Sequence, residues 1–97
     1  MVTMVVKKSD KPEKKYVAVF TKDNGRVKKT YFGQAGADDY LKTGDKAQRS
    51  RYRQRHKKDL KTNDYTRAGY LSYYLLWGAD RSLQKNIFSY KSRFNLK

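Results

Sequence analysis

Apolar and polar positions alternate first at Tyr16–Thr21, where Tyr16, Ala18 and Phe20 fall on one side and Val17 and Val19 on the other. That period of two, in residues rich in β-formers, predicts a strand. Lys22-Asp23-Asn24-Gly25 follows, and Asn-Gly accepts the positive φ values of a type I′ turn. The return strand Arg26–Phe32 interleaves Lys28 and Lys29 with Val27, Tyr31 and Phe32. Val2–Val6 offers a third short strand, and the polar, Pro-bearing stretch 7–15 reads as a loop or linker between them. Phe32–Tyr40 is a Gly-punctuated connection whose glycines turn the chain from strand to helix.

The period then changes. Asp45 and Gln48 are spaced as an N-cap and its N3 partner, so a helix is expected over 46–58. A polar break at Lys61–Asp64 precedes a second helix from Thr66 to Trp77, apolar nearly all round, with Gly78 at its C′ position. Asp80 is placed to cap a third helix, in which Leu83, Ile87, Tyr90 and Phe94 fall on one stripe. The expected fold is therefore α+β: an N-terminal β-hairpin, three-stranded in the fuller reading, followed by two or three α-helices. The chain forms one domain over 1–97, with a helical hairpin over 66–94. Tyr16, Phe20, Tyr31, Leu71, Leu75, Trp77, Leu83 and Ile87 are the expected core.

Charge changes this picture. The chain carries 24 Lys and Arg against 9 Asp and Glu, a net +15. Such a balance opposes compaction unless a partner neutralises it. The excess is densest at Lys46–Lys58, which holds seven Lys or Arg, one His and no acid. At helical spacing Arg49, Arg53 and Lys57 line one face and Arg51, Arg55 and Lys58 another, where like charges repel. An anionic surface would relieve that repulsion, so Arg49, Arg51, Arg53, Arg55, Lys57 and Lys58, with Lys28 and Lys29 on the hairpin, are the candidate contacts to an acidic partner or to phosphate. The competing reading, a solvated face, is the weaker one for so lopsided a segment.

Other chemistry is sparse. Cysteine is absent, which excludes disulfides and thiolate metal sites. One His and scattered carboxylates suggest no metal, and no cofactor motif is complete: Gly33-Gln34-Ala35-Gly36 lacks the ending of a P-loop and the third Gly of a dinucleotide fingerprint. Asp38 and Asp39 are expected to pair with Arg residues of the same or a neighbouring chain. His56 shares a helix side with Tyr52 and Leu60, and without a recognisable nucleophile a packing role is expected rather than catalysis. A helix-turn-helix built on Arg81, Lys85, Lys91 and Arg93 is the weaker reading of the last two helices. Nine Tyr, four Phe and one Trp argue against disorder. Tyr70, Tyr73, Tyr74 and Trp77 are the aromatics expected in the core or at an interface. Met1–Val6 is too short for a signal peptide's apolar region, and no run approaches a membrane span.

Three blocks, Phe32–Tyr40 (FGQAGADDY), Arg51–His56 (RYRQRH) and Thr66–Trp77 (TRAGYLSYYLLW), resemble a family of small basic proteins of nucleocytoplasmic large DNA viruses, chlorovirus, marseillevirus and mimivirus relatives among them. The family pattern runs FG-x-x-G-x-x-DY, a basic RY-x-x-RH-like helix, then an AG…LLW block. The resemblance covers residues 16–90, with Tyr70, Leu71 and Tyr74 where the pattern has Phe, Trp and Trp. It implies a virion structural protein, not an enzyme: a minor capsid or cement protein in multiple copies at the inner face of the capsid, met in host cytoplasm or nucleus during assembly. Its partners would be the major capsid protein or other minor capsid proteins, with contact at an inner-membrane surface left open. The alternative is a sequence-nonspecific nucleic-acid-binding protein that packages the viral genome, with DNA as partner.

Overall fold

Three antiparallel strands, β1 (Thr3–Lys8), β2 (Lys14–Thr21) and β3 (Val27–Gln34), form a meander in the order β1-β2-β3. The computed structural model describes all 97 residues. Register pairs Met4 with Phe20 and Val6 with Ala18, and on the other side Tyr16 with Phe32 and Ala18 with Thr30. Met4, Ala18, Phe20 and Phe32 are each at most 1% exposed, so this face is the one the helices cover. The α+β expectation holds, and Val2–Val6 does supply the third strand, shifted to Thr3–Lys8. The linker shrinks to the residues between Lys8 and Lys14.

The hairpin turn differs from the type I′ expectation. Gly25 has φ +84°, whereas Asn24 stays out of the left-handed region. Gly25 N–H donates to the Lys22 carbonyl (2.9 Å) and Lys22 N–H to that of Arg26 (2.8 Å). This is a three-residue loop in which only the glycine takes the left-handed conformation. Asn24 instead uses its side-chain oxygen to accept from Arg26 N–H at 3.0 Å.

Tyr31 is not in the core. Strand alternation admits either Tyr31 or Phe32 to the inner face, and pairing with Tyr16 selects Phe32. Tyr31 lies on the outer face beside Val17, with its hydroxyl donating to Asp10 at 2.7 Å and Lys11 4.3 Å above its ring.

The helical layer starts with a short helix not anticipated from the sequence, α1 (Tyr40–Thr43), capped by Asp39, whose carboxylate accepts from Lys42 N–H. α2 (Lys46–His56) begins at Asp45 as expected, the Asp45 side chain accepting from Ala47 and Gln48 N–H. Gln48 does not close the capping box; Thr43 accepts from Asp45 N–H and donates to Gln48 Oε1. A 3₁₀ segment (Lys57–Thr62) continues α2 and ends at left-handed Asn63. α3 (Ala68–Leu71) runs directly into a π-helical turn (Ser72–Leu76), and α4 (Leu83–Phe94) closes the layer. Ser82, not Asp80, caps α4, and Asp80 accepts from Ser82 N–H at 2.8 Å. Leu71, Leu75 and Trp77 are buried as expected. Leu83 and Ile87 are only half-buried margins of the core, because Asn86 and Tyr90 take the centre of the α4 face.

Gly78 differs in mechanism from the left-handed cap expected of it, since its φ is not positive. A Cβ there would stand 2.1 Å from the Tyr74 carbonyl oxygen and 2.9 Å from Asn86 Cγ. Asn86 fills this junction, donating to the Leu75 (3.0 Å) and Asp80 (2.8 Å) carbonyls. No helix is long and apolar enough to cross a membrane.

Candidate functional site

α2 presents two arginine-bearing sides with different surroundings. Inward, Arg49 Nε donates to the Gly78 carbonyl at 2.6 Å, and Arg53 Nη1 donates to the carbonyls of Trp77 (2.7 Å) and Tyr73 (3.1 Å). These oxygens lie at the C-terminal end of the α3–π unit, where main-chain carbonyls lack helical donors and the dipole is negative. The π turn shapes this end: Trp77 N–H reaches back five residues to the Ser72 carbonyl (3.0 Å). The Arg53 guanidinium also lies 4.0 Å over the Tyr73 ring, and burial lowers its pKa, with Arg49 and Arg93 nearby acting in the same direction. Arg49 and Arg53 are thus occupied within the chain.

Between the two sides runs an aromatic stack. Tyr52 lies between Trp77 (centroids 4.5 Å, planes 12° apart) and His56 (4.1 Å, 26°). Burial raises the Tyr52 phenol above its ordinary value, although a hydrogen bond with Ser72 opposes that rise. His56 Nδ1 is 3.1 Å from Asp59 Oδ2, and the ring makes no hydrogen bond to a hydroxyl that could serve as nucleophile. His56 therefore has the packing and hydrogen-bonding setting that its helix position predicts. Leu60 is half-buried against the core, and its carbonyl accepts from the Tyr70 hydroxyl at 2.6 Å.

Arg51 and Arg55 are exposed on the other side of α2, and the exposed Lys57, Lys58 and Lys61 of the following 3₁₀ segment extend this run of cations, which together form a basic ridge. None of the five takes part in an ion pair. Eight of the nine carboxylates have other partners, Asp59 among them although it sits within the 3₁₀ segment. Asp39 pairs with Lys15 (2.7 Å), Asp38 with Lys42 (3.6 Å), Asp64 with Arg67 (3.5 Å), Asp80 with Lys85 (3.9 Å), Asp59 with His56, and Asp23 with the N-terminal amine. Asp45 caps α2, Asp10 accepts from Tyr31, and Glu13 lies in the β1–β2 connection. The Asp38 and Asp39 partners are lysines, not the arginines expected. Lys61 was the residue missed by sequence reasoning; its spacing of four from Lys57 was the available signal.

The hairpin lysines point to opposite faces of β3, and Lys28 lines a cavity shared with Asp59 and Thr62 of the 3₁₀ segment. Lys28 donates to the Thr66 hydroxyl (2.8 Å) from the inner row of β3, whereas Lys29 is exposed on the outer face. Tyr70, Tyr73 and Trp77 are 6–7% exposed, and Tyr74 is half-buried among Tyr70, Tyr73, Tyr90 and Phe94, so all four are core aromatics. The cations of the helix-turn-helix reading are dispersed: Arg81 donates to the Lys42 carbonyl and Arg93 lies 4.7 Å over the Tyr74 ring.

A family model described as a family of unknown function (DUF5754) matches residues 4–56, from β1 to the last residue of α2. No curated protein and no solved structure matches the chain.

Proposed function

The chain belongs to this family of unknown function, and from the outward side of its basic helix we propose that it is a non-enzymatic virion structural protein, a minor capsid protein that bridges acidic surfaces of neighbouring capsid subunits. One observation carries the proposal: Arg51, Arg55, Lys57, Lys58 and Lys61 stand exposed and in no ion pair, while eight of the chain's nine carboxylates have other partners. Charge-assisted contacts to fixed carboxylates would satisfy these donors and relieve their mutual repulsion. The resemblance of the three sequence blocks to small basic proteins of large DNA viruses is what favours a capsid protein as the source of that acidic surface.

The alternative, genome binding, draws on the same ridge, which could track duplex phosphates. Stacking on unpaired bases is disfavoured by the burial of Tyr70, Tyr73 and Trp77, since a stacking platform must be accessible. Two measurements separate the readings. Quantitative recovery of the chain in genome-free shells, with no retention of duplex DNA on filters at ~100 mM salt, is the result expected of a capsid bridge. Loss of the chain with the genome, and DNA binding with a log–log salt slope near about −4.5 for five phosphate contacts, would transfer the assignment to the nucleoprotein.

A further inference from the structure

β1 is an edge strand, and part of its edge carries unpaired backbone groups. Ser9 N–H donates to the Lys15 carbonyl, which continues the β1–β2 register and places the ladder bonds at odd-numbered residues of β1. The N–H and C=O groups of Met4, Val6 and Lys8 therefore point away from β2. At one end the edge is filled by the chain itself: Lys97 N–H donates to the Val2 carbonyl (2.9 Å), and Met4 N–H donates to the Lys97 carbonyl (2.7 Å). Beyond that bridge, the N–H groups of Val6 and Lys8 have no partner in the chain. An open row of this kind is a template for another strand.

The side chains beside the open row specify what kind of strand. Val5 is 51% exposed on the outer face of the sheet and Val6 half-buried on the inner face, followed by exposed Lys7 and Lys8 on those same two faces. A strand laid along this edge meets an apolar residue on each face, then a cation on each face. A second copy of this chain would add another net charge of +15 and is disfavoured by repulsion.

We propose that the open edge of β1 binds an extended acidic segment of a partner protein, in which two adjoining apolar residues sit beside two adjoining carboxylates. Main-chain hydrogen bonds to Val6 and Lys8 supply the docking, and Lys7 and Lys8 select the acid. This surface is separate from the Arg51–Lys61 ridge and does not depend on its assignment.

The geometry offers a clean test, because the Val6 N–H takes no part in the β1–β2 ladder. Val6→Pro removes an edge donor while sparing the internal bonds, a position where proline is tolerated. A fluorescent peptide carrying Ile-Ile-Glu-Glu in extended flanks is titrated by anisotropy into the full chain. Saturable binding, weakened about tenfold by Val6→Pro at unchanged circular dichroism, is expected. Methylating the peptide's backbone nitrogens removes the complementary bonds, those the peptide donates to the Val6 and Lys8 carbonyls, without altering the protein and is expected to abolish binding. Lys7→Glu with Lys8→Glu should reverse the preference towards an Ile-Ile-Lys-Lys peptide. Ridge variants carrying Arg51→Glu and Arg55→Glu should retain peptide binding. No saturable binding, equal binding of the methylated peptide, or self-association of the free chain that Val6→Pro removes would each overturn the proposal.

Discussion

Arg53 and Arg55 stand two positions apart on one helix, and their surroundings are opposite. The side of α2 that carries Arg49 and Arg53 faces the end of the α3–π unit, where three backbone oxygens accept their hydrogen bonds and the Tyr73 ring lies beneath one guanidinium. The side that carries Arg51 and Arg55 faces water and meets no carboxylate. A guanidinium is always charged and presents several donors in a fixed fork, so either environment suits it. What differs is the presence of partially negative oxygens in front of it. Formal charge along a sequence therefore overstates the charge available to a partner, and here the inward pair must be subtracted.

The comparison is broken most severely at the shared end of the α3–π unit. Gly78→Ala would place a methyl group 2.1 Å from the Tyr74 oxygen and beside Asn86, shifting the carbonyls that Arg49 and Arg53 cap. A loss of about 3 kcal/mol is expected in urea unfolding, because a backbone atom cannot swing aside as a side chain can. A loss below about 1 kcal/mol would mean that the junction is plastic and that the arginines tolerate it.

Arg53→Ala tests the inward side directly. Two carbonyls lose a charged donor, for an expected cost of about 2 kcal/mol. Arg53→Lys should restore only part of it, since an ammonium cannot reproduce the fork or the stacking on Tyr73. Equal stability of the two variants would show that burial of the aliphatic stem, not the hydrogen bonds, is what Arg53 contributes.

Much of this architecture was legible in the sequence, and the misses share a cause. Alternation located the strands, and Asp45 located the start of the basic helix, because both signals are local. The choice between Tyr31 and Phe32 was not local; pairing with Tyr16 across the sheet decided it. Likewise, the spacing of Arg49 and Arg53 equals that of Arg51 and Arg55, so periodicity could group them but not orient them. Orientation depends on where the α3–π carbonyls end, and the π turn that sets that end has no mark in the sequence. Gly78 was read as a cap for its conformational freedom, whereas its lack of a side chain is what the fold requires.

The approach to α3 supplies a smaller, titratable contrast. The Asp64 carboxylate accepts from the Thr66 hydroxyl (2.6 Å) and N–H (3.0 Å), and these bonds, with Lys28 and Arg67 adding to them, lower its pKa below the ordinary 3.8. Its contribution to stability is present above that value and lost as pH falls through the lower folded-state pKa. Because the group is largely solvated, the effect should stay well under about 1 kcal/mol. Asp64→Asn should flatten the acid limb of the stability–pH curve while leaving the Arg53→Ala penalty unchanged at neutral pH. Coupling between the two variants would show that the ends of the α3–π unit are not independent.

The smallest expected effect on stability is at the outward pair. Arg51→Glu with Arg55→Glu removes no hydrogen bond and replaces one like-charged i,i+4 pair by another among exposed cations, so unfolding free energy should stay within about 0.5 kcal/mol. Polyanion binding should fall sharply: elution from a heparin column at lower salt, and a log–log salt slope smaller by about 2 on duplex DNA if phosphate is the ligand. Arg49 and Arg53 variants should shift the melt first and elution only as far as unfolding requires. If the outward variant unfolds as readily as Arg53→Ala, the two sides of α2 do the same work and the contrast fails. If it remains folded yet keeps full affinity, the ridge is merely a solvated face, and the cations that matter must lie elsewhere, on β1 or β3.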